Sequence, residues 1–341
     1  MSRRAFILGG TGQIGRVVAR RLLTDGWNVT LASRGQRTEI GDLLRLGAQT
    51  IALDRDQPGS LRSALAGGTD VLIDTIAYDN GHADQLLEIK GDVKAYVVIS
   101  TGSVYRDKFG RFLDNGREHG FPDFEQPITE SSSTVNPGPA TYSTRKVALE
   151  QRMLDRADQP VVIVRPGTIY GNYTQHAREW WFVKRMLDRR DFIPLAYRGD
   201  SRFHTSSVEN IAALIAAALE AHTTCILNAA DPEPLSVREI GMAIADYMGY
   251  RGEFLPLDIG DDLGNAAIGW TPWSLPKPFV LSTAAAEKLG YTPMITYAEA
   301  VRPFCDWLRQ QNLTNWESAF PVLAGYPFPL FDYATEDAYI R

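Results

Sequence analysis

A tyrosine and a lysine stand four residues apart in the stretch ATYSTRKVALE, as Tyr142 and Lys146. On a helix this spacing puts both side chains on one face. A free phenol has a pKa near 10 and is a poor base at neutral pH, whereas a neighbouring positive charge favours the phenolate. One interpretation of the pair is proton transfer between Tyr142 and a substrate oxygen, which the spacing by itself does not establish. The alternative interpretation is an ordinary amphipathic helix, with Tyr142 packed in an interface and Lys146 in solvent.

Composition narrows the class of protein. The chain has 341 residues, of which 44% are hydrophobic and 22% charged, as is typical of globular proteins. The net charge of −6 argues against a nucleic-acid partner. No apolar run reaches the roughly 18 residues of a membrane span, and the run after the basic N-terminus is too short for a signal peptide. We therefore expect a cytoplasmic protein that binds neither nucleic acid nor membranes. Because neither Cys225 nor Cys305 has metal-ligand spacing around it and the histidines are scattered, we expect no metal site.

The first hundred residues alternate between short apolar runs and helical patterns. The runs AFILGG, NVTLASR, QTIALD, DVLIDTIA and AYVVIST read as strands, and QIGRVVARRLLTDG, TEIGDLLRLG and GSLRSALAGG read as helices. Strands that are apolar on both faces and separated by helices indicate a parallel sheet covered on both sides. The predicted fold is α/β, a doubly wound parallel Rossmann sheet with a smaller mixed α/β C-terminal lobe. Ligands of such sheets bind at the carboxyl ends of the strands.

A glycine-rich turn, GGTGQIG, follows the first strand and opens the first helix. Glycine lets the backbone approach a pyrophosphate, and the helix N-terminus supplies unpaired N–H groups. This context predicts a dinucleotide site, whereas the alternative is a tight turn with close helix packing. The predicted contacts are Gly9, Thr11, Gly12, Gln13, Ile14 and Gly15.

The second strand ends in LASRGQR, which bears on the choice of cofactor. A site that prefers NAD usually places Asp or Glu here, against the ribose 2′-hydroxyl. This chain has Ser33 and Arg34, with Arg37 close behind, and guanidinium groups bind a 2′-phosphate. NADP(H) is therefore favoured over NAD(H), and the alternative is a solvated Arg in a surface loop. Asp54, which ends the third strand, either accepts a hydrogen bond from the adenine amino group or caps the following turn.

These motifs together resemble the extended short-chain dehydrogenase/reductase family, in its epimerase/dehydratase-like group. VISTGSVYR is similar to the family's strand with a catalytic Ser or Thr, and that position here is Thr101. ITESSSTVNPGPATYSTRKVALEQ is similar to its Tyr-x-x-x-Lys segment, and IVRPGTIYGNY to the strand and loop that follow. The resemblance implies that Thr101, Tyr142 and Lys146 are catalytic. It further implies that Tyr142 and Lys146 contact the cofactor, with Lys146 on the nicotinamide ribose, and that Thr101 binds the substrate oxygen.

Weaker predictions complete the site. Ser103 assists Thr101 or satisfies a loop backbone, and Ala77 falls where the chain passes the cofactor. By resemblance, the stretch from Pro166 to Ile169 lies near the carboxamide. Arg202 is the candidate ligand for a substrate anion, and the alternative there is a structural salt bridge.

The predicted domain plan has two parts. Residues 1–167 form the cofactor-binding domain, with about 203–231 rejoining its sheet. About 168–202 and 232–341 form the substrate lobe. The aromatic tail FPVLAGYPFPLFDYATEDAYIR extends past the family pattern, so it wraps the domain, covers the pocket or contacts a second subunit of a homodimer.

The predicted reaction is reduction of a sugar-derived or natural-product ketone, or the reverse oxidation, with NADP(H). Dehydratases of the family follow the catalytic Thr with an acidic pair, whereas Gly102 and Ser103 stand here. An NAD-dependent nucleotide-sugar epimerase is the second hypothesis, which the Arg34 signature and Thr168, in place of the family's usual Asn, disfavour. A cofactor-sensing regulator without turnover is the third. The partner in the first two is a small-molecule substrate.

Overall fold

A seven-stranded parallel sheet forms the centre of the protein. The computed structural model describes residues 2–35, 39–65, 67–260, 267–311 and 313–340. Its strands are β1 Arg4–Leu8, β2 Asn28–Ser33, β3 Gln49–Ala52, β4 Val71–Asp74, β5 Tyr96–Ile99, β6 Val161–Pro166, β7 Thr168–Tyr170, β8 Phe192–Leu195, β9 Thr205–Ser207, β10 Cys225–Ala229 and β11 Glu253–Pro256. The central sheet has the order β10-β6-β5-β4-β1-β2-β3, and β7 with β9 and β8 with β11 form two short parallel pairs. The predicted doubly wound α/β fold is confirmed.

Helices cover both faces of this sheet, and further helices build the C-terminal half. They are α1 Gln13–Thr24, α2 Gly41–Arg45, α3 Ser60–Ala64, α4 Asn80–Leu87, α5 Gly116–His119, α6 Tyr142–Arg156, α7 Trp180–Leu187, α8 Val208–Ala221, α9 Val237–Met248, α10 Ala284–Lys288, α11 Tyr297–Gln310, α12 Trp316–Ala319, α13 Pro321–Ala324 and α14 Tyr333–Ile340. One core layer joins the sheet to α1 and α8, and another joins it to α4 and α6. All six residues of β6 are buried, as expected for a strand with helices on both sides.

Three local predictions differ from the structure. The helices expected in TEIGDLLRLG and GSLRSALAGG are only five residues long, as α2 and α3. The fourth strand ends at Asp74, because its Oδ1 accepts the Ile76 N–H at 2.9 Å and turns the backbone. Of the stretch expected to rejoin the sheet, β10 does so beside β6, whereas β9 pairs with β7. Since β10 occupies the outer edge of β6, β9 has no place in the central sheet.

The C-terminal half builds a second core rich in aromatic residues. Helices α7, α9 and α11 pack around Trp181, Phe182, Trp273 and Phe304, which are fully or almost fully buried. Within the described ranges, no helix is long and apolar enough to cross a membrane. The same residues contain no group of three or more His, Cys, Asp or Glu side chains that could hold a metal ion.

Candidate active site

A cleft of about 780 Å³ opens at the carboxyl ends of β1, β2, β3 and β4. Its lining combines the glycine turn, the end of β2, the third strand's exit and Tyr142 of α6. The lining residues are Leu8, Gly9, Thr11, Gly12, Gln13, Ile14, Ala32, Ser33, Arg34, Leu53, Asp54, Arg55, Asp56, Thr75, Ile76, His82, Tyr142, Tyr173, Thr174, Gln175, His176 and Val322. The structure thus places the glycine turn and the predicted catalytic tyrosine in one cavity.

The glycine turn is shaped for close approach of a ligand backbone. Gly9 has a φ of +73°, and a Cβ on it would lie 2.4 Å from the Thr75 Oγ1. A Cβ on Gly15 would lie 2.4 Å from the Gly9 carbonyl oxygen, so helix α1 packs directly on the turn. Among the described residues, no side chain caps the N-terminus of α1, and its first turn contains no acid. Free N–H groups and the positive end of the helix dipole therefore suit a pyrophosphate, and the residues fit a dinucleotide.

At the other end of the cleft lie the residues predicted to select the cofactor. Ser33 and the exposed Arg34 line it at the end of β2. Arg37 lies outside the described residues. Asp54 also lines the cleft, and its Oδ1 accepts the Asp56 N–H at 3.2 Å. Asp54 therefore caps the following turn, as one of its two predicted roles requires. It also lines the cleft, where its carboxylate is available to the second role, contact with the adenine.

Tyr142 is the first residue of α6, and the Thr101 hydroxyl lies close enough to its phenol to influence the phenol's pKa. Although 39% of the residue's surface is exposed, burial around the phenol oxygen raises the pKa of Tyr142 to about 12. The hydrogen bond from Thr101 and the charge of Arg178 act in the opposite direction on this pKa. The protein's own groups therefore keep the phenol protonated at neutral pH. The predicted phenolate requires the positive charge of a nicotinamide ring in addition to that of Lys146, and it stays a prediction.

Lys146 lies one helical turn after Tyr142, with its Nζ 5.7 Å from the centre of the tyrosine ring. The ammonium donates to the carbonyl oxygens of Ala77 at 2.6 Å and Ile99 at 2.9 Å. Burial lowers the pKa of Lys146 to about 8, while the carboxylates of Asp74 and Glu150 oppose that shift. Lys146 thus sits in the protein interior rather than in solvent, which excludes the interpretation of the pair as an ordinary amphipathic helix.

A chain of hydroxyls links Thr101 through Ser103 to Ser143, the residue that follows Tyr142. The Thr101 and Ser103 hydroxyl oxygens are 3.0 Å apart, and the Ser143 hydroxyl donates to Ser103 at 3.0 Å. Ser103 also donates its backbone N–H to the Thr101 oxygen at 3.2 Å. The Ser103 hydroxyl thus contacts Thr101, as its assisting role requires, whereas the backbone N–H in this loop is satisfied by the Thr101 oxygen.

A buried ion pair lies behind Lys146. Glu150 accepts from the Arg165 Nη2 at 2.5 Å and from its Nε at 3.1 Å, and Ser100 donates to the same carboxylate. Arg165 also donates to the Tyr105 hydroxyl at 3.1 Å. Both partners are nearly inaccessible to water. This network supports the strand β5 exit, which carries Thr101, and the middle of α6, which carries Lys146.

The remaining predicted residues separate into two groups. Ala77 and Pro166 are buried behind the cleft, where Ala77 holds Lys146 through its carbonyl, and Ile169 is half-buried on β7. Arg202 instead lines another cavity, donates to the Pro234 carbonyl oxygen and pairs with Glu239 at 3.2 Å. The structure therefore gives Arg202 the salt bridge that was its alternative interpretation and does not bring it to the cleft of Tyr142.

Comparison with known proteins identifies the family of this chain. Residues 5–230 match the NAD dependent epimerase/dehydratase family. The chain belongs to that family. It is accordingly an NAD(P)-dependent enzyme of the oxidoreductase or epimerase kind, and the family match covers the glycine turn, Thr101, Tyr142 and Lys146.

Solved epimerases of this family share the fold. The Thermus thermophilus UDP-glucose 4-epimerase complex with NAD superposes with a TM-score of 0.67 at 20% identity, over 90% of this chain and 99% of that one. The Bacillus cereus UDP-glucuronic acid 4-epimerase in complex with UDP-glucuronic acid and NAD gives 0.67 at 19% identity, over the same shares. These similarities establish the fold.

One curated relative is similar in sequence over part of its length. The 2'-dehydrokanamycin reductase of Streptomyces kanamyceticus is 27% identical over 172 residues, which are 49% of this chain. The match spans 43% of the relative, less than half of its length.

The sequence patterns missed part of this family member's cleft. Arg55 lines it, is buried, and pairs with Asp74 at 2.8 Å beneath Lys146. The LDRD stretch gave no sign that this Arg turns inward. His176 and Val322 also line the cleft, from a loop after β7 and from the tail. Their spacing from the glycine turn is set only by tertiary packing.

Proposed function

We propose that this protein is an NADP(H)-dependent oxidoreductase that reduces a carbonyl of a sugar-derived or natural-product substrate to the alcohol, or catalyses the reverse oxidation. The observation that supports it most is that Tyr142 lines the same cleft as the glycine turn, with Thr101 beside its phenol and Lys146 one helical turn away. The partial likeness to a 2'-dehydrokanamycin reductase agrees with a net redox reaction.

In this proposal the glycine turn, Ser33, Arg34 and Asp54 hold the dinucleotide, and Ala77, Pro166 and Ile169 flank its nicotinamide end. A bound reduced nicotinamide supplies the hydride that the carbonyl carbon accepts. Thr101 hydrogen-bonds the carbonyl oxygen and orients it, with Ser103 holding Thr101. Tyr142 gives that oxygen its proton, so that the alcohol forms with charge balanced.

The state of Tyr142 suits the reductive direction. Because burial raises the pKa of its phenol to about 12, the proton that reduction requires is already present at neutral pH. Oxidation needs a phenolate instead, and hence additional positive charge beside the ring. Lys146 is 5.7 Å from the ring centre, so its ammonium is placed to assist.

A nucleotide-sugar epimerase is the second candidate, because solved epimerases have the same fold as this chain. Against it stands Thr168, whose hydroxyl donates to the His204 carbonyl oxygen at 3.2 Å and accepts from the Trp273 Nε1 at 3.3 Å. Thr168 is 2% exposed, so its side chain is committed to the interior. It is therefore poorly placed to replace the family's substrate-binding Asn. A regulator without turnover would not require the Tyr142–Lys146 pair that this chain retains.

Incubation of the purified protein with NADPH and a panel of ketones and nucleotide sugars tests the proposal. Steady loss of NADPH absorbance with one class of ketone is expected. Tightly bound NAD with interconversion of sugar isomers and no net redox change would establish the epimerase instead. Cofactor binding without turnover of any substrate would favour the regulator.

The cofactor preference gives a separate prediction. Replacing Arg34 with Ala removes a charge-assisted contact to the 2′-phosphate, so the ratio of NADPH to NADH affinity is expected to fall about 10- to 100-fold. Fluorescence titration with each dinucleotide measures it. Arg45→Ala, at the exposed end of α2, is the matched control and should leave the ratio unchanged. An unchanged ratio in Arg34→Ala would show that NADP selection does not depend on this residue.

A further inference from the structure

The C-terminal segment, residues 313–340, lies beyond the region that matches the family, which ends at residue 230. It contains α12, α13 and α14. Phe320 and Leu323, on either side of Val322, are buried in the aromatic core of the C-terminal half. The segment is therefore an integral part of the fold, and α13 has a fixed place on it.

A buried ion pair fixes the far end of this segment. Arg185 of α7 pairs with Glu336 at 2.5 Å, and both side chains are almost inaccessible. The same guanidinium donates to the Leu330 carbonyl oxygen at 2.9 Å and stacks 3.6 Å from the Trp181 ring centre. An unpaired buried cation would be costly, so the segment is held firmly against α7.

Near the cleft, the segment makes two contacts of a different kind. The Tyr326 hydroxyl lies 3.0 Å from the Nε2 of His176, a residue that lines the cleft. Val322 lines the cleft itself, and half of its surface is exposed there (50%). An apolar side chain that lines the cleft and stays half-exposed, between two buried neighbours, is suited to contact a ligand.

The opposite wall of the cleft is tied to the loop that Tyr326 contacts. Gln13, beside the glycine turn, donates its Nε2 to the Gly171 carbonyl oxygen at 3.2 Å. The Arg16 guanidinium lies 3.9 Å from the ring centre of Tyr173. The loop 171–176 therefore bridges the start of α1 and the C-terminal segment, and both the glycine turn and Val322 line the cleft beside it.

We propose that Val322 is a cofactor-binding residue, with which the C-terminal segment completes the dinucleotide site by an apolar contact in the cleft that the glycine turn also lines. The inference rests on the proposed function in requiring that this cleft bind NADPH or NADH. It assigns a binding role to a part of the chain that the family match does not reach. Val322 contacts a part common to both cofactors, so it affects the two equally.

The test introduces a charge at this position. Val322→Asp places a carboxylate in the wall of the cleft, where it repels the negative charge of a bound dinucleotide, so the dissociation constant should rise at least tenfold for NADPH and for NADH alike. Arg34→Ala, in contrast, should affect NADPH alone. Fluorescence titration measures both constants. The control is Met242→Asp on α9, another exposed apolar residue (52%), which should bind both cofactors like the wild type.

Thermal melting checks that the variants fold, and Val322→Ala serves if Val322→Asp does not. The loss of two methyl groups should then raise both dissociation constants two- to fivefold. A folded Val322 variant with wild-type constants for both cofactors would overturn this inference and leave the proposed function standing. Failure of the wild-type protein to bind either dinucleotide would overturn both.

Discussion

Replacing Tyr142 with Phe is expected to lower kcat for carbonyl reduction by about 10²- to 10⁴-fold, the range that a positioned proton donor contributes. The change removes the phenol oxygen of Tyr142, which lies near the Thr101 hydroxyl and is protonated at neutral pH. The ring stays, so the cleft wall and the NADPH dissociation constant should remain within about twofold of the wild type. Steady-state kinetics and fluorescence titration separate the two effects.

Tyr78→Phe is the matched control, because its ring lies 5.6 Å from that of Tyr142 and the same atom is removed. It should keep kcat within about threefold of wild type, as a neighbour without a proton-transfer role would. Equal losses in the two variants would mean that the aromatic pair acts by packing. Undiminished turnover in Tyr142→Phe would remove Tyr142 from the proposed mechanism.

What could be predicted from the sequence is the part of the site that depends on short spacing along the chain. The glycine turn combines Gly9, Gly12 and Gly15 with an adjoining strand and helix, so its pattern contains its own structural context. Tyr142 and Lys146 share one helix, and their relation is fixed by the helix period. Such features survive any variation in how the distant parts of the chain pack.

The rest depends on contacts between distant segments. Arg202 stands in a stretch that resembles the family's substrate segment, yet Glu239 and the Pro234 carbonyl oxygen hold it in another cavity. A local sequence pattern does not predict which distant carboxylate will pair with a given arginine. Val322 reaches the cleft only because Phe320 and Leu323 anchor α13 in the aromatic core. From the sequence, the tail could wrap the domain, cover the pocket or contact a second subunit. The structure places the Val322 side chain of the tail in the wall of the cleft.

Electrostatic environment was the least predictable property. The predicted lowering of the Tyr142 pKa depends on the charges of Lys146 and of a bound nicotinamide ring together, whereas burial in the protein raises that pKa to about 12. Burial acts on Lys146 as well, and lowers its pKa to about 8. Both shifts arise from desolvation by neighbours from several strands and loops, which the spacing of two residues does not encode.

Glu150→Gln is expected to reduce the free energy of unfolding by about 3–5 kcal/mol, because it leaves the Arg165 guanidinium buried without a countercharge. Both members of the pair are nearly inaccessible, with side-chain exposures of 4% for Arg165 and 2% for Glu150. Solvent therefore cannot replace the lost carboxylate. Urea unfolding of the variant and the wild type, at the same pH, measures the difference.

The same variant should also change the pH dependence of turnover. The Glu150 carboxylate raises the pKa of Lys146, against the burial that lowers it to about 8. Without that negative charge the pKa falls further, so the ammonium is lost at a lower pH. If the ammonium is required, the basic limb of kcat/KM should move from about pH 8 in the wild type to lower pH in Glu150→Gln.

Glu336→Gln is the control that separates the loss of stability from the shift of the basic limb of kcat/KM. It breaks the Arg185–Glu336 pair, which is about as deeply buried, with exposures of 1% and 6%. A similar loss of unfolding free energy is expected, but Glu336 is not among the charges that shift the pKa of Lys146. The basic limb should therefore stay in place. If it moved equally in both variants, the shift would reflect general loosening of the fold, and the electrostatic link between Glu150 and Lys146 would be wrong.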